Sequence, residues 1–353
     1  MRLIGISCVR DEEDIIESFV RHNLVYLDKL YIVDNLSKDK TVDILSSLAK
    51  EGLDIELWKS SSCSNQQDRA ITAALKKAAQ QDTGADFAFL LDADEFIGGP
   101  DRKSLIDDLE KIGSGGYGLM PWKTYIPVEN DLENLNPSIP ATLRMTHRRC
   151  HEGYQMFKSV IPKALFGKVR TLPGSHGVRR LDGGACPKFL LSTPLAHFPI
   201  RSATQLIAKI ILSNHSRMMK KDSLPNESFH WMEMAESIRE RNFCVTTDQI
   251  RKYAFSYSVR PTDETPTDVV HDPLPAHSSV DLKYGGHESN SILHRFDQYI
   301  TRLYENNDIV PIAETEFEGK EFHLMGAVRA SFKQCKRRVK RQFGLTRKRE
   351  ETR

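Results

Sequence analysis

The sequence predicts an α/β fold with a mostly parallel, doubly wound sheet, and three observations support this. Short apolar runs alternate with amphipathic helical segments over the first hundred residues. Polar residues cluster directly after each apolar run. The fourth run, Phe87–Leu91, is followed at once by the carboxylates Asp92, Asp94 and Glu95. Because ligands of such sheets bind beyond the carboxyl ends of the strands, these clusters predict one shared site.

The amino-terminal part is predicted to consist of four strands with helices between them. The apolar runs are Leu3–Val9, Leu30–Val33, Leu53–Trp58 and Phe87–Leu91. Between them, apolar residues recur at helical spacing, and Gly52 is placed to end the second helix. Residues 66–81, rich in Ala and Lys, predict the third helix. Alternation of this kind requires right-handed crossovers, which make the strands parallel.

The rest of the chain is predicted to hold an acceptor half and a helical extension. Further strands are expected at 119–122, 142–145, 158–162, 174–178 and 195–202, and helices at 203–219, 229–241 and 248–257. We expect a domain over 1–220, divided into 1–112 and 113–220, then a helical extension over 221–327 with a Pro-rich loop at 260–286. A basic tail follows at 328–353.

Composition and charge limit the classes of function. The net charge is +2, yet the tail alone holds eleven Lys and Arg against two Glu, so the body is mildly acidic. The tail interleaves cations with apolar residues, which fits either contact with an anionic membrane surface or a solvated segment. Nucleic acid is less favoured, because no recognised binding motif accompanies the tail. The six cysteines show no metal spacing, and no signal peptide or membrane span is evident, so we expect a cytoplasmic protein.

The carboxylates after the fourth strand predict a metal site. Asp92 and Asp94, two positions apart, can converge on Mg²⁺ or Mn²⁺, since hard divalent cations prefer carboxylate oxygens. The alternative is a solvated turn after a core strand. A histidine at the end of a later strand is suitably placed to complete the site, because neutral imidazole accepts divalent cations. His197 and His176 compete for that role.

Four motifs in order resemble the glycosyltransferase family 2-like enzymes. They are Arg10-Asp11-Glu12, then 32–41 (Ile-Val-Asp-Asn-Leu-Ser-Lys-Asp-Lys-Thr), then Gln67 with Arg69, then 91–96 (Leu-Asp-Ala-Asp-Glu-Phe). The acidic motif is similar to the Asp-x-Asp-Glu-Phe subgroup and to the family 92 transferases. Asp11 stands where Asn is common in the family, and Leu36 where a small residue is common.

The resemblance implies an A-type glycosyltransferase fold, a nucleotide-sugar donor and a divalent metal. It implies a nucleoside pocket formed by Arg10, Glu12, Asp34, Asn35 and Asp39, with Asp34 contacting base or ribose. It also implies that Gln67 and Arg69 line the donor site, that Asp92 approaches the ribose or the metal, and that Asp94 is the more direct metal ligand. Asp34 and Asp39 are equally suited to turn and helix-cap roles.

Two cations and three carboxylates are candidates for the chemistry itself. Arg201 and Lys209 are expected to neutralise the leaving diphosphate. The resemblance implies inversion at the anomeric carbon, which needs one carboxylate base within reach of the acceptor hydroxyl. The candidates for that base are Glu95, Glu152 and Asp182, and the sequence does not decide among them.

The leading prediction is a metal-dependent, inverting transferase that moves a sugar to a hydroxyl of a polysaccharide or lipid-linked glycan. A nucleotidyltransferase is the related alternative, disfavoured because the first loop lacks the glycine-rich sequence that such enzymes use. A non-catalytic nucleotide-sugar or glycan-binding protein is the alternative from another class. The sequence specifies neither base, sugar nor acceptor.

Overall fold

The fold is taken from a computed structural model. It describes residues 1–60, 67–128, 139–219, 229–241, 244–260, 262–275 and 282–284, with the backbone alone at 212–219 and 229–233. Residues Met1–Arg302 form one compact unit. The predicted basic tail at 328–353, and part of the predicted Pro-rich loop at 260–286, lie outside the described residues.

The described chain alternates strands and helices as far as residue 109 and becomes less regular after it. The strands are β1 Leu3–Val9, β2 Lys29–Asp34, β3 Ile55–Lys59, β4 Phe87–Leu91, β5 Glu95–Ile97, β6 Tyr117–Thr124, β7 His147–Arg149, β8 Phe157–Pro162, β9 Val169–Thr171, β10 Val178–Arg180, β11 Lys188–Leu190, β12 Leu195–His197 and β13 Val269–His271. The helices are α1 Ile16–Asn23, α2 Thr41–Lys50, α3 Gln67–Gln81, α4 Arg102–Leu109, α5 Ala141–Arg144, α6 Ala203–Met219, α7 Phe229–Glu240 and α8 Thr247–Ser256.

The main sheet confirms the predicted α/β class. In the described chain it has nine strands in the order β3-β2-β1-β4-β8-β6-β12-β5, with β11 added beside β6. The strands β3, β2, β1 and β4 are parallel, as the alternation with helices predicted. The strand β8 then runs antiparallel to both β4 and β6, while β12 returns parallel to β6. The order of strands changes beside β4, which is where the acidic loop begins.

Helices cover both faces of the sheet, and the apolar spacing of the sequence accounts for which side chains they bury. Phe19 of α1, Leu45 of α2 and Leu105 of α4 belong to one buried cluster. Ile71 and Leu75 of α3 belong to the cluster on the other face. A third cluster joins α6, α7 and α8. The helices of the extension therefore pack against α6 within the first compact unit.

Most predicted elements are confirmed, and three details are informative. Gly52 has a φ of 94° and its N–H bonds to the Ala49 carbonyl, so it ends α2 as predicted. The strand predicted at 142–145 is wrong, because Ala141–Arg144 is a helical turn. Pro140 precedes it, and the Leu143 and Arg144 N–H groups bond back to the Pro140 carbonyl. A four-residue apolar pattern does not separate a turn of helix from a strand. The strand predicted at 174–178 is also wrong, because Pro173–Ser175 is a 3-10 turn and β10 begins only at Val178.

None of the helices in the described part of the chain is long and apolar enough to cross a membrane.

Candidate active site

The loops after β1, β2 and β4 meet at one edge of the sheet. Strand register shows this, since Val9 pairs with Asp34 and Ser7 pairs with Leu91. The short strand β5 leaves the same edge, and its Glu95 pairs with His197 of β12. The structure thus brings together most of the residues that the sequence analysis selected, including the histidine from a distant strand.

Asp92 and Asp94 occupy different surroundings on the acidic loop. Asp92 Oδ1 accepts a hydrogen bond from Gln67 Nε2 at 2.7 Å, and Asp92 Oδ2 accepts one from Lys158 Nζ at 2.5 Å. Asp94 Oδ2 accepts from Lys209 Nζ at 2.9 Å. Each carboxylate is therefore paired with its own lysine.

The charges around Asp94 decide its protonation state. Burial alone would raise the pKa of this carboxyl, but Lys209 and Arg201 outweigh burial and hold its pKa below the usual range. Burial likewise opposes the charge of Lys158, whereas Asp92 and Glu95 raise its pKa to about 12. At neutral pH the loop therefore carries ionised Asp94 beside protonated lysines.

Asp94 and His197 lie close enough together to bind one divalent cation. Asp94 Oδ2 and His197 Nε2 are 3.8 Å apart and both residues are buried, a separation that suits two ligands of one ion. Burial lowers the pKa of His197 to about 3, so its imidazole is neutral and can offer a nitrogen lone pair. Within the described chain no cluster of three or more such ligands is present, so an ion here needs oxygens from the donor or from water.

His176 also contacts Trp122, but its ring is hydrogen-bonded to the backbone and is not paired with Asp94 in the described part of the chain. Its Nδ1 donates to the Phe157 carbonyl at 2.8 Å, and its ring meets the edge of Trp122. His197 stacks on the same Trp122 with ring centroids 4.0 Å apart. Of the two competing histidines, His197 is the one beside Asp94.

The loops after β1 and β2 hold the residues predicted to bind a nucleoside. Asp34 is buried at the end of β2 and accepts the Ser37 N–H at 3.1 Å. The next residue, Asn35, has a buried Oδ1 with no hydrogen-bond partner in the described part of the chain. A buried acceptor without a partner is costly, so a donor group from a ligand would stabilise it.

Asp39 and Glu12 hold these two loops together. Asp39 accepts the Thr41 N–H at 2.9 Å and the Glu13 N–H at 3.0 Å, and burial raises its pKa to about 6. These contacts match the turn role considered for Asp39 in the sequence analysis, whereas the N-cap position of α2 is Lys40. Glu12 receives Arg201 Nη2 at 2.9 Å, yet burial outweighs this cation and raises the pKa of Glu12 to about 7.

Arg201 is placed as a link between loops. Its Nε and Nη2 donate to the Asp14 carboxylate, Nη2 also reaches Glu12, and Nη1 donates to the Phe198 carbonyl at 3.0 Å. The side chain is 2% exposed. The guanidinium is thus engaged by the protein on all sides, in contrast to the predicted contact with a leaving diphosphate. Lys209, 24% exposed, is the more accessible cation.

The remaining predicted donor-site residues differ in accessibility. Arg69 is exposed on α3, and Arg10 is half-buried in the loop after β1. Gln67, at the start of α3, contacts Asp92 directly. The structure thus joins Gln67 to the acidic loop.

The three candidate bases are each placed unfavourably for that role. Glu95 is fully buried, its Oε2 accepts the Asp92 N–H, and burial raises its pKa well above the usual value. Glu152 uses both oxygens on Thr124 and Arg149. Asp182 pairs with Arg180 and lies just after Leu181, whose N–H bonds to Lys168 near the opposite edge of the sheet. In this conformation each of the three carboxylates is already engaged by groups of the protein.

Sequence reasoning missed four side chains that shape the site: Trp122, Arg149, Lys158 and Tyr257. Lys158 carries the clearest signal, because a lysine inside an apolar strand must find a buried partner. Arg149 is likewise 2% exposed. Nothing in the local pattern of Trp122 or Tyr257 distinguishes them from ordinary core aromatics.

Comparison with known proteins finds a family match within the amino-terminal part. Residues 6–157 match the model described as glycosyl transferase family 2, which confirms the predicted resemblance and, with the sheet, the A-type fold. The match spans β1 to the start of β8 and includes the acidic loop. The finer similarity to the Asp-x-Asp-Glu-Phe subgroup and to family 92 stays a prediction. No curated protein matches the chain.

Three solved structures are similar at low identity. Staphylococcus aureus TarS 1–349 with UDP has 15% identity, a TM-score of 0.35 and coverage of 74% of this chain and 76% of its own. The mannosyltransferase PcManGT from Pyrobaculum calidifontis, with GDP-Man and Mn²⁺, has 14% identity and a TM-score of 0.34, and the match covers 66% of this chain and 69% of its own. A putative glucose-1-phosphate thymidylyltransferase from Bacillus anthracis has 10% identity and a TM-score of 0.34, and the match covers 65% of this chain and 99% of its own. Overlays this loose carry no ligand or substrate over to this chain.

Proposed function

We propose that the protein transfers a sugar from a nucleotide-diphosphate donor, with a divalent cation, to a hydroxyl of a polysaccharide or lipid-linked glycan, because residues 6–157 match the glycosyl transferase family 2 model. The observation that carries this proposal is the meeting of Asp94, His197 and Lys209 with the Asp34–Asn35 loop at one sheet edge. In this proposal the Asp34–Asn35 loop binds the nucleoside, and Asp94, His197 and Lys209 lie at the diphosphate.

Asp94 and His197 would hold Mn²⁺ or Mg²⁺, and Asp92 is the further carboxylate that the sequence analysis predicts for this site. Such an ion, when bound, supplies positive charge to the diphosphate oxygens. Asp92 is held by Gln67 and Lys158, so it would join the ion only by exchanging a partner.

Lys209 is the side chain that would stabilise the departing diphosphate. Negative charge develops on the diphosphate as the bond to the anomeric carbon breaks, and a fixed cation lowers that barrier. Lys209 is ionised, since Asp94 and Glu12 raise its pKa despite burial. Lys158, 1% exposed, is too buried to meet a donor and acts by binding Asp92. We propose inversion at the anomeric carbon, as the family resemblance implies.

Donor consumption tests the proposal. A panel of nucleotide-diphosphate sugars is incubated with the protein and either Mn²⁺ or a chelator, and free nucleoside diphosphate is measured over time. We expect consumption of at least one donor with Mn²⁺, and its loss in Asp94→Asn. Asp43→Asn, an exposed acid on α2, is the matched control and should retain activity.

Donor binding without any consumption, with or without a hydroxyl acceptor, would favour the non-catalytic binding protein. Formation of a nucleotide sugar from a nucleoside triphosphate and a sugar phosphate would favour the nucleotidyltransferase.

The cytoplasmic location and the membrane contact of residues 328–353 also stay proposals. The tail's eleven cations support them, since basic residues near an anionic surface each contribute roughly 1 kcal/mol. Sedimentation with anionic vesicles, for the full chain and for a chain ending at Met325, tests the contact. Equal sedimentation of both chains would contradict it.

A further inference from the structure

The helical extension reaches the candidate site through Tyr257, the residue that follows α8. The Tyr257 ring meets the edge of the His197 ring with centroids 5.4 Å apart and an interplanar angle of 61°. Lys209 Nζ lies 6.0 Å from the centroid of the same ring. Tyr257 therefore touches both side chains that lie against Asp94, although it is more than 160 residues away in sequence.

A buried ion pair fixes the end of α8 and so fixes Tyr257. Arg149 Nη2 donates to the carbonyls of Ala254 at 2.5 Å and Tyr257 at 2.9 Å. These carbonyls would otherwise lack partners at the helix end, and a cation there also suits the helix dipole. The same guanidinium donates through Nη1 to Glu152 Oε2 at 3.0 Å.

Glu152 connects this helix end to the strand that carries the histidine. Its Oε1 accepts the Thr124 N–H at 2.6 Å, and its Oε2 accepts the Thr124 hydroxyl at 2.9 Å. Thr124 ends β6 and pairs in register with His197 of β12. The contacts thus close a ring from His197 through Thr124, Glu152, Arg149 and Tyr257 back to His197.

Backbone geometry also indicates that the turn is held in place. Ser258, next to Tyr257, has a φ of 58°, in the left-handed region that favours glycine. A residue other than glycine keeps that conformation only when its surroundings require it. The Val259 N–H bonds to the Ser256 carbonyl at 3.1 Å across this turn.

We propose that the extension is part of the active site, with Tyr257 as a positioning residue that fixes His197 and Lys209 around Asp94, and with the Arg149–Glu152 pair holding Tyr257 there. The inference rests on the proposed function, because the three side chains matter for binding a donor diphosphate. It gives Glu152 a structural task in place of the base role considered from sequence.

Steady-state kinetics with the consumed donor tests the positioning role. Tyr257→Ala should raise the donor KM about tenfold and also lower kcat, because a misplaced His197 and Lys209 weaken both donor binding and the stabilisation of the leaving diphosphate. Tyr257→Phe keeps the ring and should restore KM to within about threefold of wild type. Some loss of melting temperature is expected in Tyr257→Ala, since the partly buried ring packs against two core clusters, so the comparison of KM with Tyr257→Phe is the deciding one.

Tyr253→Ala is the matched control, one turn earlier on α8. Tyr253 is 9% exposed and packs in the cluster shared by α6, α7 and α8. This control should lower the melting temperature while the donor KM stays near wild type. If Tyr257→Ala behaves in the same way, with lower melting temperature and unchanged KM, the positioning role is overturned.

The double variant Glu152→Gln with Tyr257→Ala tests the ring of contacts. Glu152→Gln alone should raise KM in the same direction, and the double variant should be no worse than Tyr257→Ala, because both act through one element. Effects that multiply would overturn the connection through Arg149.

Amide hydrogen exchange of residues 195–209, measured without donor or metal, is the second readout. We expect faster exchange in Tyr257→Ala than in wild type and recovery in Tyr257→Phe. Unchanged exchange in Tyr257→Ala would overturn the inference. A wild-type protein that consumes no donor would overturn the proposed function together with this inference, whereas an active wild type with an indifferent Tyr257→Ala overturns the inference alone.

Discussion

The half of the site contributed by residues 1–112 differs from the half contributed by the later chain in how its parts come together. In the first half, each polar residue follows its own strand at once: Asp34 ends β2, and Asp92 directly follows β4. In the later half, Lys158, His197 and Lys209 come from three separate elements and meet only through tertiary contacts. The first half is a product of local pattern and the second is a product of packing.

This difference explains how the acidic loop tolerates its charge. Three carboxylates at one strand end repel each other unless cations lie between them, and the sequence analysis predicted a metal ion for that role, with a solvated turn as the alternative. The structure shows that Lys158 and Lys209 already pair with Asp92 and Asp94. The first half thus supplies negative charge, and the later half supplies the cations that balance it. Variants in the two halves should therefore fail differently.

Lys158→Met should have the largest effect. It leaves Asp92 and Glu95 beside each other without their buried cation, which costs about 3–5 kcal/mol of unfolding free energy. Donor consumption should also be lost. Chemical denaturation followed by circular dichroism measures the stability.

Lys123→Met on neighbouring β6 is the control for that variant. Lys123 is 39% exposed and pairs with Asp272 at the surface, so the loss should be below about 1 kcal/mol. Equal losses for Lys158→Met and Lys123→Met would show that the two halves are not balanced in the way described here.

Asp34→Asn should have a smaller effect that falls on affinity. If Asp34 bonds to base or ribose, the Kd for a nucleoside diphosphate should rise about tenfold, or about 1.4 kcal/mol. Asp39→Asn is the comparison, since its carboxylate caps the neighbouring turn, and it should lower the melting temperature more than the affinity. Calorimetric titration and melting temperatures of both variants test this difference. Weaker binding in Asp39→Asn and a lower melting temperature in Asp34→Asn would exchange the two roles.

His176→Gln should have the smallest effect at neutral pH and a clear effect in acid. Burial lowers the pKa of His176 to about 4, below the value of about 6.5 expected in the unfolded chain. As pH falls from about 6.5 to 4, the unfolded state binds the proton first, so stability present above pH 6.5 is lost. The contribution is up to about 1.4 kcal/mol per pH unit, and it should vanish in His176→Gln. Parallel stability curves for both proteins across this pH range would contradict the buried, neutral histidine.

Sequence patterns predicted much of the fold and part of the site, for a physical reason. Strand β4 and the residues around it follow from hydrophobic periodicity, and the shared edge follows from the rules for parallel sheets. Arg201 was selected from sequence, but its contacts with Asp14 and Glu12 depend on how two distant loops pack. The same holds for Glu152, whose partner Thr124 is known only once β6 and β12 pair.

Binding of nucleoside diphosphates by isothermal titration calorimetry, with Mn²⁺ and with a chelator, tests the central claim most directly. We predict that wild type binds at least one nucleoside diphosphate with Mn²⁺ and loses about tenfold or more in affinity without it. Asp94→Ala should show that weaker affinity even at saturating Mn²⁺, while its melting temperature shows that it still folds. Affinity in Asp94→Ala equal to that of wild type at saturating Mn²⁺ would contradict the proposed site.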